Sequence, residues 1–354
     1  MTTADKKPGI DKPEFDGEWV RLGDVATYVN GYAFKPTDYC ADGLPIIRIQ
    51  NLTGNAYETN RFDGALSDKY RVENGDILIS WSASLGVYRW NRGEAWLNQH
   101  IFKVVFDKLP VNLDFFVYQA GYLIENSTSL AHGATMRHLT KKVSDSRPFF
   151  YPPSDVQAKI ARTLMSVDAI LAYLHLQVSK LDDLVKSRFV EMFGDPNKTQ
   201  CTTTLEDAFF IRDDLRKPLS GKERESMKEG ALYPYYGANG VVDWINQYLI
   251  DTDALCFAED CGSYGPDEPT AYIIREKAWV NNHAHLLLPR VPYFLEYACS
   301  CFRLLDVSRF ISGTTRSKMT QAQLKQIRIG IPESARLKEF ADFVAKVDKL
   351  GFAA

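Results

Sequence analysis

The sequence predicts an α+β fold: two similar mixed α/β domains joined by long coiled-coil helices, arranged as a pseudo-two-fold repeat. Three observations carry that reading. The chain repeats itself: Gly133 and Gly313, Pro152 and Pro332, and Val167 and Val347 are each 180 residues apart, in similar local sequence. Short β-type runs alternate with turns and helical patterns in both halves. A run of apolar residues starting at Ile160 steps alternately by four and three, as a coiled-coil seam does.

The elements follow in order. In the first half, 46–49, 76–80 and 102–106 read as strands after turn signals, and 113–125 as a helix. Their counterparts are strands at 254–258, 271–274 and 286–288 and a helix around 293–306. Leu97-Asn-Gln-His100 also recurs, as Val280-Asn-Asn-His283 at an offset of 183. Proline closes each domain before a helix. The first helix has the seam Ile160, Leu164, Val167, Leu171, Leu174, Val178, Leu181, Val185, Arg188 and Met192. Ser154 or Asp155 serves as its N-cap and Gly194-Asp-Pro196 as its stop. At 1.5 Å per residue it spans roughly 55–60 Å. The second helix keeps register with Phe340, Val344 and Val347, then reaches Gly351, so it is about half as long. The expected divisions are domain 1 at 15–153, long helix at 154–194, domain 2 at 200–332 and short helix at 333–354. The unpaired seam, with Leu174, Val178, Leu181, Val185 and Met192, is an expected partner surface.

Length and composition agree. The 354 residues accommodate about two domains. With 45% hydrophobic and 25% charged residues the chain is globular rather than low-complexity. The balance of 42 basic and 45 acidic residues excludes a strongly basic glove over nucleic acid, but not local basic patches. No apolar run approaches a membrane span, and the N-terminal residues show no secretory signal, so a cytoplasmic location without membrane partners is expected. Six cysteines read as free thiols. Their C-x4-C and C-x-C spacings lack the paired C-x2-C of a zinc site, and no metal is expected.

No phosphate-cradling loop, dinucleotide fingerprint or nucleophile elbow is present, so no catalytic residue is assigned. Binding chemistry is better represented. Gly133, Thr135, Arg137, His138, Lys141 and Lys142 cluster in one half. Gly313, Thr314, Thr315, Arg316, Ser317 and Lys318 cluster in the other. Glycine permits close backbone approach, hydroxyls bond phosphate oxygens, and Arg or Lys adds charge. A second set follows strands: Arg48, Gln50, Asn51, Ser82 and Ser84 in the first half, Tyr236, Asn239, Ser263 and Tyr264 in the second. Such side chains suit base edges. Asn98 and Asn281, with the histidines that follow them, suit loop-holding hydrogen bonds.

Together these residues resemble a known family. The joints read G-A-T-M-R-H-L-T…Y-P-P-S-x-x-Q-x-K-I-A and G-T-T-R-S-K-M-T…I-P-E-S-x-x-L-K-E-F-A, and the long helix ends K-S-R-F-V-E-M-F-G-D-P. The chain resembles the DNA-specificity subunit of type I restriction–modification systems. The resemblance implies two target-recognition domains, each reading one half of a split double-stranded DNA target, with antiparallel helices setting the gap. It implies a non-catalytic subunit with no cofactor of its own. Two methyltransferase subunits would use S-adenosylmethionine to methylate adenine N6, and an ATP- and Mg-dependent restriction subunit would join them. The short second helix departs from the pattern; the open seam would then take a methyltransferase helix or a second copy of the chain. The alternatives are a specificity module of a modification-only system, or a coiled-coil scaffold that does not bind DNA.

Overall fold

The computed structural model describes residues 15–352 except 55–58, 83, 127–145, 202, 261–263, 265–269 and 314–316. It divides into two compact units, 1–171 and 172–354.

In the first unit, strands β1 (Glu18–Arg21) to β10 (Pro148–Tyr151) form two four-stranded sheets and one antiparallel pair. One sheet has the order β2 (Thr27–Asn30), β9 (Ile101–Val105), β6 (Ile77–Ser80), β7 (Gly86–Arg89), all antiparallel. The apolar run of β6 is buried throughout, as expected of a central strand covered on both faces. The other sheet has the order β4 (Arg61–Phe62), β3 (Leu44–Ile47), β8 (Ala95–Leu97), β5 (Arg71–Val72). In it β3 and β8 run parallel, pairing Ile46 with Trp96 and Ile47 with Leu97. Helix α1 (Leu113–Glu125) is started by Asn112, whose Oδ1 accepts from Phe115 N at 3.0 Å. Its face of Phe115, Phe116, Ala120 and Ile124 joins Tyr28, Ile77, Val104 and Phe149 in one core.

The second unit repeats this plan. Its antiparallel sheet runs β11 (Phe209–Ile211), β17 (Ala284–Pro289), β14 (Ala254–Ala258), β15 (Ala271–Ile274). Its second sheet runs β13 (Gly240–Ile245), β12 (Tyr233–Gly237), β16 (Trp279–Val280), with β12 and β16 again parallel. Among the described residues the further helices of more than two turns are α2 (Ser154–Phe193), α3 (Phe294–Leu304) and α4 (Ser334–Phe352).

Helix α2 begins directly after Pro152-Pro153 and ends at Gly194, whose φ of 82° is the left-handed turn expected of a helix stop. Its first turns pack Ile160 and Ala161 onto the first unit's core. Its last turns pack Phe189 and Met192 into the second unit's core with Phe340 of α4. The pairing of α4 with this end is antiparallel. Arg336 bonds the Met192 carbonyl, Phe340 meets Phe189 and Phe193, and Gly351 lies against Leu181.

That pairing corrects one expectation. Met192 is 8% exposed and Val185 packs against the same core, so neither is an open partner position. Leu181 is half-covered where Gly351 approaches it. The open apolar surface lies N-terminal to this. Ile170 (58%), Leu171 (49%), Tyr173 (60%), Leu176 (54%) and Val178 (49%) are exposed, and Leu174 is half-buried.

Candidate nucleic-acid interface

The polar loops of each unit are held at the ends of its parallel strand pair. In the first unit the chain leaves β3 at Ile47, and Arg48 N donates to Asn51 Oδ1 at 2.8 Å, fixing a one-turn helix over Ile49–Leu52. The Arg48 guanidinium lies 5.1 Å from the centre of the Tyr39 ring and donates to the Tyr39 hydroxyl. Leaving β8, Asn98 Oδ1 accepts from His100 N, and Tyr32 exchanges backbone bonds with Leu97 and Gln99. A cleft of about 470 Å³ opens between these turns, lined by Phe34, Tyr39, Arg48, Gln50, Ser84, Asn98, Gln99 and His100.

Gly31 makes this arrangement feasible, because a Cβ there would overlap the Asn98 carbonyl. Gly31→Ala therefore forces the two loops apart. It should destabilise the first unit by about 1–3 kcal/mol, measured as a shift in its denaturant midpoint, and open the cleft.

The structure thus gathers Arg48, Gln50 and Ser84 and sets two other expected readers aside. Asn51 is 8% exposed and is spent as a cap; its carbonyl also accepts from Arg92 Nη1 at 3.0 Å. Ser82 is 5% exposed and turned inward. Gly133, Thr135, Arg137, His138, Lys141 and Lys142 lie outside the described residues.

In the second unit Tyr236 is also corrected. It is buried, stacks on Tyr272 at 5.4 Å and donates to Glu276 Oε1 at 3.1 Å. Burial and Glu276 push its phenol well above the usual range. Asn239 instead stands exposed at the turn between β12 and β13. Tyr264 donates to the Ala258 carbonyl at 3.1 Å and packs against the core. Asn281 Oδ1 accepts from His283 N at 2.8 Å, the same loop-holding role as Asn98. Ser263, Thr314, Thr315 and Arg316 lie outside the described residues.

The base of the second glycine loop is tightly held. Gly313 has φ 93°, and Ser312 and Lys318 exchange backbone bonds of 2.9 and 2.8 Å. Ser317 is exposed between them. Lys318 is not a free cation; its Nζ lies 3.2 Å from Glu259 Oε1. That pair belongs to a half-buried ionic network which sequence reading missed. Arg216 bonds Glu259 at 2.5 Å and Asp213 at 3.1 Å. His285, 1% exposed, bonds Asp213 Oδ2 through Nδ1 at 2.7 Å and the Met319 carbonyl through Nε2 at 2.9 Å. Gln321 Nε2 donates to Asp213 at 2.9 Å. Burial opposes ionisation of Asp213, but His285, Arg216 and Gln321 outweigh it and hold the carboxyl below its ordinary value. Asp213, Glu259 and His285 are close enough to ligate a cation. The Arg216 guanidinium already bridges the two carboxylates and supplies that positive charge.

The first unit puts apolar chemistry at the matching positions. Trp81 follows β6 as Glu259 follows β14, and Phe102 matches His285 at the offset of 183. Trp81 stacks on Phe102 at 5.8 Å and donates Nε1–H to Asn30 at 3.3 Å. The cysteines Cys256, Cys299 and Cys301 are free and buried, with burial pushing the Cys256 and Cys301 thiols up to about 12.

Comparison with known proteins adds the following. A family model described as the type I restriction modification DNA specificity domain matches residues 16–180 and again 203–353. A Haemophilus influenzae protein named as the type I restriction enzyme specificity subunit S.HindORF215P is 29% identical over 128 residues, 36% of this chain and 32% of that protein. The MjaVIII specificity subunit of Methanocaldococcus jannaschii is 24% identical over 208 residues, 52% of this chain and 43% of that protein. The matches therefore span well under two thirds of these relatives' lengths. A crystal structure of a type I restriction–modification S subunit from M. genitalium superimposes with a TM-score of 0.54 at 16% identity, covering 97% of this chain and 92% of that one, which shows a shared fold. Among the described residues no helix is long and apolar enough to cross a membrane.

Proposed function

Because the chain belongs to the type I restriction–modification DNA specificity family, we propose that it selects a bipartite DNA target, each domain reading one half. One observation carries this: the same two-sheet plan occurs twice, and at the same strand end it presents different polar side chains. Domain 1 offers Arg48 and Gln50, domain 2 offers Asn239. A duplicated scaffold with different chemistry at its tips suits two different half-sites.

The helices set the gap and dock adenine-N6 methyltransferase subunits. Support comes from the exposed apolar residues Ile170, Leu171, Tyr173, Leu176 and Val178, since neighbouring exposed apolar side chains mark partner sites. The chain's own part is selection; S-adenosylmethionine, ATP and magnesium act in the partners. The net charge of −3 fits this division, with part of the phosphate affinity supplied by the partners. The glycine loops, with Arg137, Lys141, Lys142, Arg316 and Ser317, add backbone contacts to phosphate.

The test is selection from a randomised duplex pool by the purified complex with its neighbouring methyltransferase. Two enriched half-motifs with a fixed gap are expected, absent when this chain is omitted. Equal enrichment without it would overturn the proposal.

A further inference from the structure

We infer that Arg48 is the residue that reads a guanine in the domain 1 half-site, and that the segment leaving β3 in domain 1 and β12 in domain 2 is the specificity element of each half. This rests on the DNA-reading function proposed above and names the side chain that carries it.

Strand register supplies the equivalence. Ile47 pairs with Leu97, and Tyr236 pairs with Val280. Leu97-Asn98 and Val280-Asn281 are themselves repeat partners. The next residues along the first strands, Arg48 and Gly237, therefore occupy the same place. Beyond it the domains diverge. Domain 1 makes a helical turn at Ile49–Leu52, whereas domain 2 turns through Ala238 and Asn239 into β13. Domain 2 carries no side chain at the Arg48 position, and a Cβ on Gly237 would press on Val242 Cγ1 at 2.9 Å. Two copies of one scaffold thus differ where a base-reading group would stand.

Arg48 is prepared for that task. Four other arginines of domain 1 are committed. Arg71 and Arg89 pair with Glu94 and Asp114, and Arg61 and Arg92 donate to the carbonyls of Gly43 and Asn51. Among the described residues Arg48 is bonded to no carboxylate. The Tyr39 ring and hydroxyl hold its guanidinium while using little of its donor fork. Gln50 and Gln99 line the same cleft with amide donors and acceptors. An oriented arginine beside amides matches the bidentate reading of guanine O6 and N7, whereas an exposed, mobile cation would suit a phosphate.

The experiment uses the complete chain in complex with its methyltransferase, selecting duplexes from a randomised pool. Wild type yields a bipartite motif. Arg48→Lys keeps the charge but loses the fork, and should weaken the preference for one guanine in one half by roughly 10- to 100-fold. The other half and the gap stay unchanged. Replacing that guanine by 7-deazaguanine should weaken wild-type binding and leave Arg48→Lys nearly unaffected. Asn239→Ala should alter only the opposite half. If Arg48→Lys retains the whole wild-type motif, or loses affinity equally for all sequences, the inference falls while the proposed function stands. If the wild-type complex enriches no bipartite motif, the function falls and the inference with it.

Discussion

Asp213→Ala should cost the second unit about 3–5 kcal/mol, the usual effect of removing one partner from a buried ionic pair. The Asp213 side chain is 10% exposed and accepts from His285, Arg216, Gln321 and the backbone N–H of Leu286. Deleting it leaves the Nδ1 of buried His285 without its carboxylate, leaves Arg216 with Glu259 alone, and frees the turn that carries Met319 and Gln321. Asp213→Asn keeps the shape and loses the charge, so its loss should be smaller. The pH dependence has a definite sign. The folded carboxyl titrates below its ordinary value, so its contribution is complete above the unfolded pKa and is lost as pH falls through the folded one. Wild-type stability should therefore decline below about pH 4 more steeply than that of Asp213→Asn. Chemical denaturation of both proteins between neutral and acid pH measures this. Parallel curves would show that Asp213 contributes nothing through its charge.

Phe340→Ala should destabilise the same unit by about 3–5 kcal/mol. Phe340 is fully buried and meets Phe189 at 5.7 Å and Phe193 at 5.5 Å, so its ring locks α4 onto the end of α2. The lost ring leaves a cavity between two helices that can only partly close. Hydrogen exchange should speed up at 181–193 and 334–350 and stay unchanged at 18–125. Unchanged protection in α4 would mean that the helix is held elsewhere, with Arg188–Glu339 (2.6 Å) the next contact to test.

Both predictions act on features of unequal visibility in the sequence. The two related helices and their unequal lengths were legible, because seam spacing and the 180-residue offset are one-dimensional signals; which end of α2 the shorter helix covers was not. The placement of Arg48 and Gln50 at a sheet end was legible too, since polar residues just after a buried strand stand there. Facing was not. Asn51 and Ser82 follow strands just as Gln50 and Ser84 do, yet one caps a turn and the other points inward. Tyr236 looked like a stacking aromatic, but its ring finds Tyr272 and its hydroxyl finds Glu276. Lys318 looked like a phosphate contact until Glu259 came within 3.2 Å. The network behind it was illegible. Asp213, Glu259 and His285 come from three strand ends far apart in sequence, with no spacing rule to join them. Asn30, Trp81 and Phe102 meet one another at the matching place in the first unit.

In the function proposed, one chain carries two different DNA readers. A genome-wide map of adenine methylation tests it most directly, in cells expressing the neighbouring methyltransferase with and without this chain. Two short, unlike methylated half-motifs at a fixed separation are expected, present only with the chain. Methylation that is independent of the chain, or confined to a single undivided motif, would contradict it.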